Sequence, residues 1–151
     1  METKNDKTIA ALTHLSTLTQ YFIPFGNFIF PIIIWSSKKE KSEFIDYHGK
    51  QVLNFQLSLL VYSIVFVLIA IPAFTTVIFS SMNWTELLNN HEFFLNNINI
   101  ADNISILTIG IISVMLFFLL KIVEFFLIII AAINASNGEN YKYPLTINFI
   151  K

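Results

Sequence analysis

The stretch Phe44–Ile71, FIDYHGKQVLNFQLSLLVYSIVFVLIAI, decides the class of fold. It enters through Asp46, His48, Lys50, Gln51, Asn54 and Gln56, then runs apolar without a charge. About 20 apolar residues at roughly 1.5 Å each cross the ~30 Å of bilayer hydrocarbon. The apolar run from about Val52 to Ser80 exceeds that length. Pro72 inside it is tolerable, because neighbouring helices in a membrane can satisfy the carbonyl that proline frees.

A second run of the same kind extends from about Ile104 to Ala135. Both are longer than one crossing needs, so tilt or extension beyond the bilayer is expected. The composition agrees: 55% of residues are hydrophobic and 13% charged, against about 25% charged in soluble domains. A chain of 151 residues holds a single domain. The expected fold is an all-α integral membrane protein, two long transmembrane helices plus a broken amino-terminal helical pair.

That pair lies in residues 8–35, where Pro24, Gly26 and Pro31 interrupt the apolar pattern. Helices over Thr8–Phe22 and Asn27–Trp35 would each fall short of a crossing. The region is either one broken span or a short hairpin that returns. Lysine placement favours the hairpin. Residues 36–51 carry Lys38, Lys39, Lys41 and Lys50, whereas 82–103 carry Glu86, Glu92 and Asp102 and no lysine. By the positive-inside rule the first segment is cytoplasmic and the second external. Residues 1–7, with Lys4 and Lys7, form a cytoplasmic tail, and 136–151 are cytoplasmic too. The expected location is the bacterial inner membrane, multi-pass, with both termini inside. The rival arrangement has three spans and an external amino terminus.

Within 82–103, Trp84, Leu87, Leu88, Phe94 and Leu95 fall near helical spacing, and Asn83 with Glu86 resembles a capping box. A short interfacial helix is expected there.

Polar side chains in apolar surroundings are the candidate sites. His48 and Gln56 belong to the polar entry of the first long helix, the His48 end hydrated at the interface. Asn54 lies deeper and should find an interhelical hydrogen bond, expected on a carbonyl or hydroxyl of the broken 8–35 segment. In LLKIVEFFLIII, Lys121 and Glu124 share one helix face at i, i+3, so an ion pair is expected. His14, with Thr13 and Thr17, is a third polar element. It is expected to be packed and hydrogen-bonded.

Soluble-enzyme chemistry finds no footing. The only glycines are Gly26, Gly49, Gly110 and Gly138, too scattered for a phosphate loop. His14, His48 and His91 lie on different segments, which is poor zinc spacing. All nine basic side chains are lysines and there is no cysteine, so neither an Arg clamp nor thiolate chemistry is available. With a net charge of −1 the chain offers no field for nucleic acid. No catalytic, cofactor or metal site is expected. The partners expected are the lipid bilayer and other membrane proteins or further copies of the chain.

Four blocks in order, AALTHLSTL, FPIIIWSSKK, EFIDYHGKQVLNFQLSLL and IIAAINASNGENYKYPLTINFI, resemble the Tic-twenty-like family of small bacterial membrane proteins, which includes the MamF-like proteins of magnetosome membranes. The resemblance covers essentially the whole chain. Its most specific parts are His48 to Gln56 and the terminal block with Gly138, Tyr143 and Pro144. It implies a compact helical membrane domain and a remote similarity to the channel-forming component of chloroplast inner-envelope protein import. Gly49 and Val52 are mild departures, and the resemblance gives Lys121 and Glu124 no role. In the terminal block, Gly138 is a helix stop, Tyr141 and Tyr143 are interface anchors, and Pro144 ends the helix. YPLTINFI then runs extended along the cytoplasmic surface. The function expected is a non-enzymatic accessory or structural subunit of a membrane assembly. The alternative is a small oligomeric channel or translocation component lined by His14, Asn54, Lys121 and Glu124.

Overall fold

A computed structural model describes residues 2–80 and 100–151, with 100–102 described by their backbone alone. The described residues form four α-helices: α1 Lys4–Leu15, α2 Gly26–Lys38, α3 Glu43–Ser80 and α4 Ile100–Asn137. Two of them, Glu43–Ser80 and Asn103–Asn137, are long and apolar enough to cross a membrane. The all-α class and the long pair match the sequence reading. The helices begin earlier than the apolar runs, at Glu43 and Ile100, because the polar entry residues are themselves helical. The interfacial helix expected over 82–103, with Trp84, lies outside the described residues up to 99.

Helix α1 starts earlier than expected and takes in Lys4 to Lys7 of the supposed tail. A capping box explains the start: Thr3 Oγ1 accepts from the Asp6 N–H at 3.1 Å and the Asp6 carboxylate accepts from the Thr3 N–H at 3.2 Å. The chain then tightens into a 3₁₀ turn over Ser16–Tyr21. Serine and threonine hydroxyls accompany this change, Ser16 donating to the Thr13 carbonyl, Thr17 to His14 and Thr19 to Ser16, all at 2.6–2.7 Å. Phe25 turns the chain with φ of 60°, a left-handed value unusual for a bulky residue. The 12 residues of α1 and 13 of α2 are each too short to cross a membrane.

The chain divides into two compact units, one formed by residues up to Val61 and from Leu120 onward, the other by Tyr62–Leu119. The first holds the main core, in which Val52, Phe55 and Leu59 of α3 pack with Ile128 and Ala131 of α4 and with Tyr143. Gly49 is needed here because a Cβ would collide with the Trp35 indole ring. That close approach lets Trp35 Nε1 donate to Asp46 Oδ1 at 2.9 Å, while Lys50 pairs with Asp46 one turn on at 2.6 Å.

Helix α4 ends at Asn137, and Gly138 takes φ of 88°, the left-handed stop read from the sequence. Lys7 donates to the freed Asn137 carbonyl at 3.1 Å, placing a cation at the negative end of the helix. Beyond the turn at Pro144 and Leu145 the chain runs without helix or strand to Lys151.

In the second unit, Gly110 of α4 approaches Ala73 of α3 so closely that a Cβ would lie 3.1 Å from the Ala73 methyl. Asn103 Nδ2 donates to Ser80 Oγ at 3.0 Å. Leu68, Met115 and Phe118 are more than half exposed. Few residues of the two apolar spans are buried within the protein. Such a surface suits lipid, where backbone groups are satisfied inside each helix and apolar side chains face hydrocarbon.

Candidate functional site: a buried polar core

The first unit buries nine-tenths or more of His14, His48, Asn54, Gln56 and Glu124, five of the six polar candidates. Burial without partners would cost several kcal/mol for each such group. The partners are supplied by segments distant in sequence.

His14 sits in the last turn of α1 and bridges two other elements. Its Nδ1 lies 2.8 Å from the Tyr143 hydroxyl and its Nε2 lies 2.8 Å from His48 Nδ1. Phe44 and Tyr47 both set ring edges against the His48 imidazole, with centroids 4.4 and 5.4 Å away. Tyr143 stacks on Phe55 at 4.0 Å and 5°. Two expectations are corrected by this arrangement. His48 is fully buried instead of hydrated, because α1 and the terminal block cover the entry of α3. Tyr143 is a core residue with 2% exposure, not an interface anchor, since the chain folds back after Gly138. Burial, reinforced by Tyr141 and Glu124, pushes the Tyr143 phenol well above its usual value of 10.0. Burial also raises the Tyr141 phenol.

The ion pair read from LLKIVEFFLIII is present. Lys121 Nζ donates to Glu124 Oε2 at 2.8 Å, and Gln20 Nε2 donates to Oε1 at 2.8 Å. Glu124 is fully buried while the Lys121 side chain keeps 32% exposure, as a snorkelling lysine would. Gln20 was legible only as a polar residue that dilutes an apolar run.

Asn54 does make the buried hydrogen bond expected of it, but with a different partner. Its Nδ2 donates to the Ile150 carbonyl at 2.9 Å, and its Oδ1 accepts from the N–H groups of Phe149 at 3.0 Å and Ile150 at 2.8 Å. The terminal segment, not the broken one, supplies these groups because its backbone lies outside any helix or strand and has donors and acceptors to place. Ser58 Oγ, one turn on, accepts from the Ile147 N–H at 2.8 Å. YPLTINFI turns at Pro144 and Leu145 and then runs without helix or strand, held on α3 by Asn54 and Ser58. The broken segment is reached instead by Gln56, whose Oε1 accepts from Asn27 Nδ2 at 2.8 Å. Ser58 and Asn27 had no signal in the sequence beyond being polar.

Four buried side-chain atoms lack a hydrogen bond among the described residues: His48 Nε2, Gln51 Oε1, Gln56 Nε2 and Thr146 Oγ1. No three His, Asp or Glu side chains among the described residues gather to hold a metal ion. A polar cleft of about 420 Å³ is lined by Glu2, Glu43, Phe44, Tyr47, Gly138 and Asn140.

No curated protein and no solved structure matches the chain. Residues 5–150, nearly the whole chain, match the MamF_MmsF family, described as the magnetosome magnetite crystal formation protein family. With its two membrane-spanning helices and the terminal block that carries the resemblance, the chain is a membrane protein of the MamF/MmsF family.

Proposed function

We propose that this protein is a non-enzymatic accessory or structural subunit of a bacterial membrane assembly, and that the assembly is one that forms magnetite crystals in magnetosomes, as the family description implies. The observation that supports this reading is the internal use of the polar groups. Glu124 is held by Lys121 and Gln20, and Asn54 by the terminal segment. A channel lined by His14, Asn54, Lys121 and Glu124 would need these groups turned toward a shared path. What the two long helices leave outside is largely apolar surface, suited to lipid and to other membrane helices. Lysine placement sets both termini on the cytoplasmic side.

The test is purification in mild detergent from the native membrane with an amino-terminal tag, which leaves the docked terminal segment undisturbed. The mass of the particle and its co-purifying proteins are then determined. A stoichiometric membrane partner is the expected outcome. A homo-oligomer that conducts an ion or solute in vesicles, with no partner, would replace this reading with transport.

A further inference from the structure

The hairpin of α1 and α2 runs partway along the long helices and turns back. Lys7 meets the Asn137 carbonyl at the end of α4, and Gln20 meets Glu124 about 20 Å of helix away. On α3, Trp35 reaches Asp46, and Asn27 reaches Gln56 about 15 Å further in. Lys50 is the last charge on α3 before its apolar run. Gln56 lies about 9 Å of helix beyond it, and one leaflet of hydrocarbon is about 15 Å deep. The turn between Gln20 and Asn27 therefore falls at acyl-chain depth on the lysine-bearing side.

The turn is built for that surrounding. The two polar residues that bracket it are used inward, Gln20 on Glu124 and Asn27 on Gln56. Between them Phe22 is 87% and Phe25 72% exposed, and Tyr21, Ile23 and Pro24 are exposed as well. The backbone supplies its own partners. The N–H groups of Phe22 and Ile23 both donate to the Thr19 carbonyl, at 3.0 and 2.9 Å, and Gly26 donates to Ile23 at 3.0 Å. Pro24 has no N–H to place. Gly26 lets the turn close tightly, since a Cβ there would collide with Thr19. A loop in water can leave its amides to solvent, whereas one at membrane depth cannot. Beyond the turn, Ile29, Ile32 and Ile33 carry the exposed apolar surface along one face of α2.

We infer that Tyr21–Phe25 is a wedge seated among the acyl chains of the lysine-side leaflet, and that it makes the protein favour bilayers convex toward that side. Neither α1 nor α2 is long enough to cross, so the hairpin adds volume to the leaflet it enters and none to the opposite one. Crowding of that leaflet is relieved where it is convex and its lipids are spread. Apolar insertions at one face of a membrane are sensitive to curvature for this reason. The wedge is a property of a single chain in lipid, so it stands or falls apart from any partner of the assembly.

The experiment uses the full chain in phosphatidylcholine vesicles at a large excess of lipid. The chain has no cysteine, so a nitroxide can be attached at one introduced site at a time. Phe22→Cys carries it on the turn, and Ser37→Cys carries it at the exposed lysine end of α2. Its relaxation by oxygen, which concentrates in hydrocarbon, is compared with that by a water-soluble nickel chelate. The label at 22 should respond to oxygen and the label at 37 to nickel. A label at 22 that responds to nickel, or to neither because a second copy covers it, overturns the wedge. For curvature, the chain with an amino-terminal tag is reconstituted into small and large vesicles, and the tags open to external protease are counted. The small vesicles, whose outer leaflet is the convex one, should show a several-fold higher ratio of outward to inward tags. Phe22→Asn with Phe25→Asn keeps the charge, and asparagine tolerates the left-handed backbone at Phe25, so this variant should give one ratio at both sizes. A wild-type ratio independent of vesicle size overturns the curvature preference, as does a double variant that keeps the wild-type difference.

Discussion

The carboxamide of Asn54 grips the peptide unit of Ile150 from both sides, donating to its carbonyl at 2.9 Å and accepting from its N–H at 2.8 Å. A neighbouring β-strand would offer the same donor and acceptor pair. Here a side chain of a helix takes the strand's place, with Ser58 repeating the acceptor role one turn away.

Asn54→Leu should therefore release the terminal segment. Three hydrogen bonds are lost, and the Phe149 and Ile150 backbone groups must find other partners, so a destabilisation of about 2 to 4 kcal/mol is expected. Thermal unfolding in detergent measures it. Carboxypeptidase should also digest the variant from its end far faster than the wild type. An unchanged midpoint and digestion rate would contradict the clamp.

The Lys121 and Glu124 pair should behave non-additively. Lys121→Leu leaves a fully buried carboxylate with Gln20 alone, at an expected cost of about 2 kcal/mol. This is below the usual value for breaking a buried pair because the lysine is 32% exposed. The double variant Lys121→Leu, Glu124→Leu should recover most of that loss, since an apolar pair removes the uncompensated charge. A double-mutant cycle of thermal midpoints checks it.

Tyr143 should make the fold sensitive to alkali. The folded chain holds the phenolic proton well above the ordinary value of 10.0, whereas the unfolded chain releases it there. The stability from this group is full below about pH 10 and is lost as pH rises further. Tyr143→Phe cannot ionise, so its midpoint should decline less steeply than that of the wild type between about pH 9 and about pH 11. Parallel slopes would mean that the hydroxyl is not buried as described.

The two long helices were legible because an apolar run of that length has few alternatives. The Lys121 to Glu124 pair was legible for a local reason, the i, i+3 spacing on one face. The contacts of His14 with His48 and Tyr143 were not, because they join α1, α3 and the terminal block and leave no mark on any one of them. Asn54 was read as bonded but given the wrong partner. Its partners are backbone atoms, which every residue possesses and no sequence pattern flags. Tyr143 was misread for a related reason: tyrosine near a span end is common at interfaces, and only the fold-back after Gly138 places it inside.

The clamp on the terminal segment has a consequence for how freely that segment can be rewritten. Asn54 and Ser58 hydrogen-bond to main-chain atoms of Ile147, Phe149 and Ile150, while the side chains of Ile147 and Phe149 are nearly half exposed. Recognition is thus blind to spelling. Almost any residue can occupy these three positions without loosening the grip, with one exception. Proline lacks the N–H that each position must donate. A library randomised at 147, 149 and 150 and sorted for folded protein should return a broad alphabet from which that one residue is missing.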